Sequence, residues 1–157
     1  MTPEIRRAIH AAADAYQFDA ALLEAQVIVE SSGKPDAFRF ECALWARWRE
    51  RQETLAAKEY GALAACSFGL LQVLLETAME HGFPGRPETL FVPMIGLDCG
   101  CRYLAHLRDT HPREPWPRIL CAYNGGPGVL RLPVASNIAY AERVAVAARG
   151  VAHEVSV

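Results

Sequence analysis

The sequence predicts a single, mainly helical (all-α) domain that spans residues 1–157. Signals for the start of a helix recur along the chain, and apolar residues follow them at helical spacing. No segment alternates apolar and polar residues for long enough to predict a sheet. With 157 residues, 52% of them hydrophobic, the chain can bury one sizeable core. No repeat, linker or low-complexity tract divides it.

The first two helices have clear starting points. Thr2 can cap a helix that begins at Pro3, where the missing amide proton costs nothing, and that runs to about Tyr16. Asp19 can cap a second, largely apolar helix that begins at Ala20. Both segments are therefore predicted as helices of three to four turns.

The middle of the chain continues the helical pattern. Residues Glu41 to about Tyr60 predict a helix or a helix pair with one apolar side, which carries Trp45 and Trp48. The run Ser67–Leu75 is too apolar for the surface and continues towards Gly82, which predicts a helix stop.

Three helices are predicted in the C-terminal half. One runs from Pro93 to about Thr110. The next begins after Pro115 and ends in the glycine-rich stretch 123–128, where glycine allows sharp turns and a close approach to a ligand. Ser136 or Asn137 can cap the last helix.

Glu30 lies in the last turn of the second helix, directly after Val27-Ile28-Val29. Gly33, suited to the left-handed cap position, ends that helix. The helix dipole and the apolar neighbours both disfavour a carboxylate there, so we expect a raised pKa. Such a pKa suits a general acid that works near neutral pH. On this helix alone, an exposed glutamate with an ordinary pKa is the competing interpretation.

Other polar side chains also fall within segments that should be buried. Gln72 interrupts an apolar run, and Tyr123-Asn124 precede the glycine turn. Amides, phenols and one carboxyl that meet in a cleft are typical of sugar recognition and glycosidic cleavage. Taken alone, Gln72 could equally be a satisfied buried amide, and Asn124 a turn residue.

Composition excludes several classes of protein. The net charge of −2 and the pI of about 6.2 argue against nucleic-acid binding through a basic face. No apolar run reaches the roughly 20 residues of a membrane span. The N-terminus lacks the apolar core of a signal peptide, so synthesis in the cytoplasm is expected. The five cysteines include no Cys-x-x-Cys, and the histidines form no His-Glu-x-x-His. We therefore predict buried free thiols, no metal site and no cofactor.

Four motifs follow one another along the chain. They are Glu30-Ser31, Gly69-Leu70-Leu71-Gln72, Ala122-Tyr123-Asn124-Gly125-Gly126-Pro127-Gly128 and Tyr140. Their order resembles that of the soluble lytic transglycosylase domain, which is placed in glycoside hydrolase family 23 with the goose-type lysozymes. The resemblance runs from about Leu22 to Val144. Arg39 stands where that family usually has a serine, and the longer segment that follows it is similar to phage-type members.

The resemblance implies a lysozyme-like fold and a role for each matching position. Glu30 would be the catalytic acid, and Tyr140 would lie beside it and orient its carboxyl. Gln72, Tyr123 and Asn124 would line the sugar groove.

Positions that depart from the family pattern leave further roles open. Ser67 is the candidate for contacting the substrate acetamido group. Glu41 could be a second acid, although a salt bridge with Arg39 or Arg47 is the favoured interpretation. The two tryptophans of the extra segment could form a sugar platform, although core packing is favoured.

The implied function is cleavage of the β-1,4 bond between N-acetylmuramic acid and N-acetylglucosamine, with one glutamate as acid and base and 1,6-anhydromuramic ends as products. Peptidoglycan strands are the implied partner, and a monomer is expected. Three alternatives stay open: a hydrolytic lysozyme, a silent peptidoglycan-binding module and a cysteine–histidine amidase. Without a signal peptide, we expect the wall to be reached from a virion, a lysis pore or a secretion machine.

Overall fold

The computed structural model describes residues 1–48, 54–132 and 134–155. Within these ranges the chain is mainly helical, as predicted. The α-helices are α1 (Pro3–Tyr16), α2 (Ala20–Ser31), α3 (Cys42–Trp48), α4 (Leu55–Tyr60), α5 (Leu75–Glu80), α6 (Pro93–Thr110), α7 (Trp116–Gly125) and α8 (Ala135–Val155). Short 3-10 helices cover Gly61–Ala65, Pro87–Phe91 and Pro127–Leu130.

The predicted N-terminal caps are confirmed. The Thr2 hydroxyl accepts a hydrogen bond from the backbone amide of Ile5, and the Asp19 carboxylate accepts one from that of Leu22 at 2.8 Å. At the end of α2 the prediction was one residue late. Ser32, with φ of 56°, already takes the left-handed cap position, and Gly33 follows with φ of 73°.

A small antiparallel sheet is the main departure from the predicted fold. Its strands are β1 (Phe38–Phe40), β2 (Cys66–Phe68) and β3 (Val73–Leu74), in the order β1-β2-β3. Strands of two or three residues are too short to show an alternating pattern, so no periodicity in the sequence predicts them.

The apolar run 67–75 therefore contains two strands and a turn, and α5 begins only at Leu75. Gly69 and Gln72 both have positive φ, at 70° and 48°, and such residues cannot continue an α-helix. The backbone amide of Gly69 donates to the carbonyl of Ala37, which ties the turn to the chain just before β1.

The stretch from Glu41 to Tyr60 forms a helix pair, α3 and α4, which is one of the two forms predicted for it. Residues 49–53 between these helices lie outside the described residues. Trp45 and Trp48 pack against the apolar cluster beneath the sheet, which agrees with core packing, and Trp48 also lines the groove. The last helix begins at Ala135, so neither Ser136 nor Asn137 caps it.

The helix α2 passes through the middle of the core. Its Leu23 and Val27 belong to the main cluster with α1, α6 and α7, while Ala25 packs against α7 and α8 in another. Helix α2 is thus covered on opposite sides, and even the side chains of Glu24 and Gln26 are fully buried. Glu30 stands at the end of this buried helix, where α2 emerges into a groove.

The cysteines follow the prediction with one exception. All five are free, and four are buried, but Cys42 at the start of α3 is exposed. No helix within the described ranges has the length and apolar composition that crossing a bilayer requires.

Candidate active site

A groove of about 1100 Å³ collects side chains from α2, the sheet, α6 and α7. Every site residue predicted from the sequence lines it except Tyr140, which is buried behind Glu30. The predicted residues along its wall are Glu30, Glu41, Ser67, Gln72, Tyr123 and Asn124. Segments that are far apart in the sequence therefore meet in one cleft, as the motif order implied.

Glu30 is oriented from behind by Tyr140. The tyrosine hydroxyl donates a hydrogen bond of 2.7 Å to Glu30 Oε1, and only 2% of Tyr140 is exposed. Burial raises the pKa of Glu30 to about 7, although the Tyr140 bond and the charges of Arg39 and Arg143 lower it. The predicted rise in this pKa is confirmed, and its main cause is the loss of solvent.

Gln72 holds the turn that connects β2 to β3. Its side-chain amide donates to the carbonyl oxygens of Ala37 and Gly69, both at 3.0 Å. A non-glycine residue in the left-handed region costs roughly 1 kcal/mol, which these bonds offset. The side-chain amide of Gln72 is thus satisfied by the backbone, and Gln72 also lines the groove.

Tyr123 presents its ring to the groove while its hydroxyl is anchored. That hydroxyl donates to the carbonyl oxygen of Leu71 at 2.9 Å, and burial raises its pKa well above the ordinary value. A methyl group at Gly100 would lie 2.7 Å from Leu71 Cδ1 and 3.1 Å from the Tyr123 hydroxyl. Glycine at that position of α6 therefore lets the turn and the tyrosine pack together.

Asn124 is exposed at the end of α7, and a residue that the sequence assigned elsewhere orients it. Asn137 donates its side-chain amide to Asn124 Oδ1 at 2.9 Å. With its oxygen engaged in this way, Asn124 directs its amide nitrogen away from Asn137 and can donate to a ligand in the groove. Asn137 was predicted as a helix cap, so this supporting role was missed.

Glu41 is paired rather than free. Arg39 Nε donates to Glu41 Oε1 at 2.5 Å, which is the salt bridge that the sequence favoured, and Ser67 Oγ donates to the same oxygen at 3.4 Å. Ser67 is only 4% exposed. A contact between Ser67 and a substrate acetamido group would have to compete with this bond, and it stays a prediction.

One end of the groove was not predicted at all. His81, Tyr103, His106 and His111 line it. The His81 ring centroid lies 4.6 Å from that of His106 and 5.2 Å from that of Tyr103. His81 and His106 are far apart in the sequence and meet because α5 packs on α6. In the described part of the chain, no three histidine, cysteine, aspartate or glutamate side chains are placed to hold a metal ion.

Comparisons with known proteins agree with this geometry. Residues 7–145 match the family described as the transglycosylase SLT domain. The fold is similar to that of an inactive glutamate-to-glutamine mutant of the lytic transglycosylase Slt from Pseudomonas aeruginosa, with a TM-score of 0.73 and 18% sequence identity. The match covers 96% of this chain and 24% of the other, so the chain spans about a quarter of that protein's length. No curated protein matches the sequence significantly.

Proposed function

The chain belongs to the transglycosylase SLT domain family, and we propose that it cleaves peptidoglycan as a lytic transglycosylase with Glu30 as its only acid and base. The observation that carries this proposal is the geometry of Glu30. It is a groove carboxyl with a pKa of about 7 and a hydrogen bond from a buried tyrosine. A group with that pKa can both donate and accept a proton near neutral pH. The inactive glutamine mutant of the structural relative is consistent with a reaction that depends on glutamate.

The reaction needs two proton transfers at one carboxyl. Protonated Glu30 first gives its proton to the glycosidic oxygen, and the bond between that oxygen and C1 of the muramic acid breaks. The acetamido group of the same sugar can stabilise C1. The Glu30 carboxylate then takes the proton of the C6 hydroxyl while the oxygen of that hydroxyl bonds to C1. This step closes the 1,6-anhydro ring and restores the acid.

The groove is suited to hold a glycan during these steps. Asn124 and the oxygen of Gln72 supply polar partners for hydroxyl or acetamido groups, and the Tyr123 ring supplies an apolar face.

Replacing Glu41 with glutamine should separate a single-acid enzyme from a two-carboxylate hydrolase. In our proposal Glu41 pairs with Arg39 and Ser67 and neither gives nor takes a proton in the reaction. Cleavage of purified sacculi by Glu41→Gln should therefore stay within about threefold of wild type, far from the roughly 10²-fold loss of a general base. A loss of 100-fold or more in the folded variant would favour the hydrolytic lysozyme instead.

Replacing Tyr140 with phenylalanine should lower turnover more than it lowers affinity for the glycan. The hydroxyl contacts Glu30 and is buried away from the groove, so its loss changes the acid and leaves the sugar contacts in place. We expect kcat to fall about tenfold, the size of one hydrogen bond to a charged group, with KM nearly unchanged. A purely structural tyrosine would lower the melting temperature and leave the turnover of the folded molecules unchanged.

The remaining alternatives have less support. A silent binding module gives no reason for a half-buried acid that a tyrosine orients. For an amidase, the candidate thiols Cys66, Cys99, Cys101 and Cys121 are buried, and burial raises the pKa of each. A thiol with a high pKa stays protonated near neutral pH, and only the thiolate is a good nucleophile. Full alkylation of Cys42, which is exposed, should leave wall cleavage intact.

A further inference from the structure

A fully buried glutamine lies one helical turn before the proposed acid. Gln26 and Glu30 are four residues apart on α2, so their side chains lie on the same face of the helix. Gln26 has no exposed surface. Neither of its amide atoms makes a hydrogen bond of ordinary geometry to any residue of the described ranges.

A buried amide in this state needs an explanation. Leaving such a group without partners is unfavourable, and an apolar residue of the same shape would avoid that cost. The neighbours of Gln26 along α2 show the contrast. Glu24 is equally buried, but Arg6 and His10 of α1 bind its carboxylate at 2.8 and 3.2 Å. The side-chain amide of Gln26 therefore has no partner like the two residues that bind Glu24.

Tyr140 is the group that Gln26 faces. The amide stands near enough to the Tyr140 hydroxyl to lower the pKa of that phenol, against the larger effects of burial and of Glu30. The same hydroxyl donates its proton to Glu30 at 2.7 Å. A phenol oxygen that donates its own proton can still accept one.

We propose that Gln26 is a positioning residue, whose side-chain amide donates to the Tyr140 oxygen and so directs the tyrosine proton onto Glu30. The result is a chain of donors from Gln26 through Tyr140 to the carboxyl, in which each bond strengthens the next. This inference rests on the proposed function, because the chain of donors matters only if Glu30 is the acid. The inference can nevertheless be tested without substrate.

Several charged groups also act on Glu30 and must stay constant in the test. Arg143 lies on α8, and Arg39 and Glu41 belong to β1 and the residue that follows it. Tyr123 of α7 is coupled to both Glu30 and Tyr140. In our proposal Gln26 changes the pKa of Glu30 only through Tyr140. The test therefore compares substitution of Gln26 with and without the Tyr140 hydroxyl.

The experiment is an NMR titration of Glu30, labelled with carbon-13, in the free protein. In Gln26→Met the tyrosine becomes a weaker donor, so the pKa of Glu30 should rise, by about 0.5 pH units for a hydrogen bond of ordinary strength. In the Tyr140→Phe background the same substitution should cause no further rise. Glu24→Gln, a matched change at a buried polar site on the other side of α2, should leave the pKa of Glu30 unchanged.

Two outcomes would overturn the proposal. One is an unchanged Glu30 pKa in folded Gln26→Met; the other is an equal rise with and without the Tyr140 hydroxyl. Methionine has nearly the size of glutamine and removes an unpaired amide, so the variant should fold. The titration needs no peptidoglycan. It can therefore succeed even if wall cleavage fails, and the two claims are judged separately. With active enzyme, Gln26→Met should move the alkaline limb of the plot of kcat against pH by the same amount. KM should stay unchanged.

Discussion

Replacing Glu30 with glutamine should nearly abolish peptidoglycan cleavage while the fold stays intact. Glutamine keeps the shape of the side chain but can neither give a proton to the glycosidic oxygen nor take one from the C6 hydroxyl. General acid–base catalysis contributes about 10²–10⁴-fold, and here one group supplies both halves of it. Clearing of purified sacculi, followed over several decades of enzyme concentration, measures the loss. Retention of more than about a tenth of wild-type activity would remove Glu30 from the mechanism.

The same variant should change how stability depends on pH. The folded pKa of Glu30, about 7, lies above the ordinary value of 4.5, so the folded state holds this proton longer than the unfolded state. Stability from the protonated acid is complete below pH 4.5 and is lost as the pH rises through 7. The loss is on the order of 1–3 kcal/mol, discounted for the partial exposure of Glu30.

Glutamine has no such titration, which makes the comparison a control for the first measurement. Glu30→Gln and wild type should unfold at similar denaturant concentrations near pH 4, and the variant should be the more stable one at pH 8. Equal stability of the two proteins at both pH values would mean that the carboxyl is not desolvated. The physical basis for a neutral general acid would then be lost.

Replacing Gly69 with alanine should have the largest effect on stability. Gly69 has φ of 70°, and a methyl group there would lie 2.5 Å from the backbone oxygen of Leu90. The left-handed backbone costs about 1 kcal/mol, and the collision with a carbonyl that cannot rotate away adds more. We expect a loss of about 3 kcal/mol or more in urea unfolding. The molecules of Gly69→Ala that still fold should also lose activity, because the shifted turn carries Gln72.

Gly61 provides the matched control for this substitution. It also has positive φ, at 57°, but nothing lies within 4 Å of an added methyl group. Gly61 combines this φ with ψ of −127°, outside the left-handed helical region, so Gly61→Ala should show a backbone cost alone, about 1–3 kcal/mol, with activity unchanged. A stability loss in Gly69→Ala no larger than that in Gly61→Ala would contradict the added cost of the contact between Gly69 and Leu90.

The sequence singled out Glu30 and most of the residues that line the groove because those residues break local patterns. A carboxyl at the end of an apolar helix, or an amide within an apolar run, is visible without a structure. Caps such as Thr2 and Asp19 likewise act over three residues, and their helices are confirmed. These features are local, because the residues that define them are neighbours in the chain.

Features set by distant contacts were missed. The strands are too short to show a period, and the sheet exists because the 69–72 turn docks on Ala37. Gln26 was one turn away from Glu30 and broke the same apolar run, so the rule that selected Gln72 could have found it. The pairing of Asn137 with Asn124 and the cluster of histidines depend on helix packing, which no local pattern encodes.

The chemistry of the product tests the central claim most directly. Sacculi digested by the wild-type protein should be analysed by mass spectrometry before and after borohydride treatment. One acid and an internal C6 nucleophile predict disaccharide-peptides with 1,6-anhydromuramic ends, one water lighter than hydrolysed products and unchanged by borohydride. Products that carry reducing ends and gain hydrogen on borohydride treatment would contradict the account, since water and not the C6 hydroxyl would then have attacked C1.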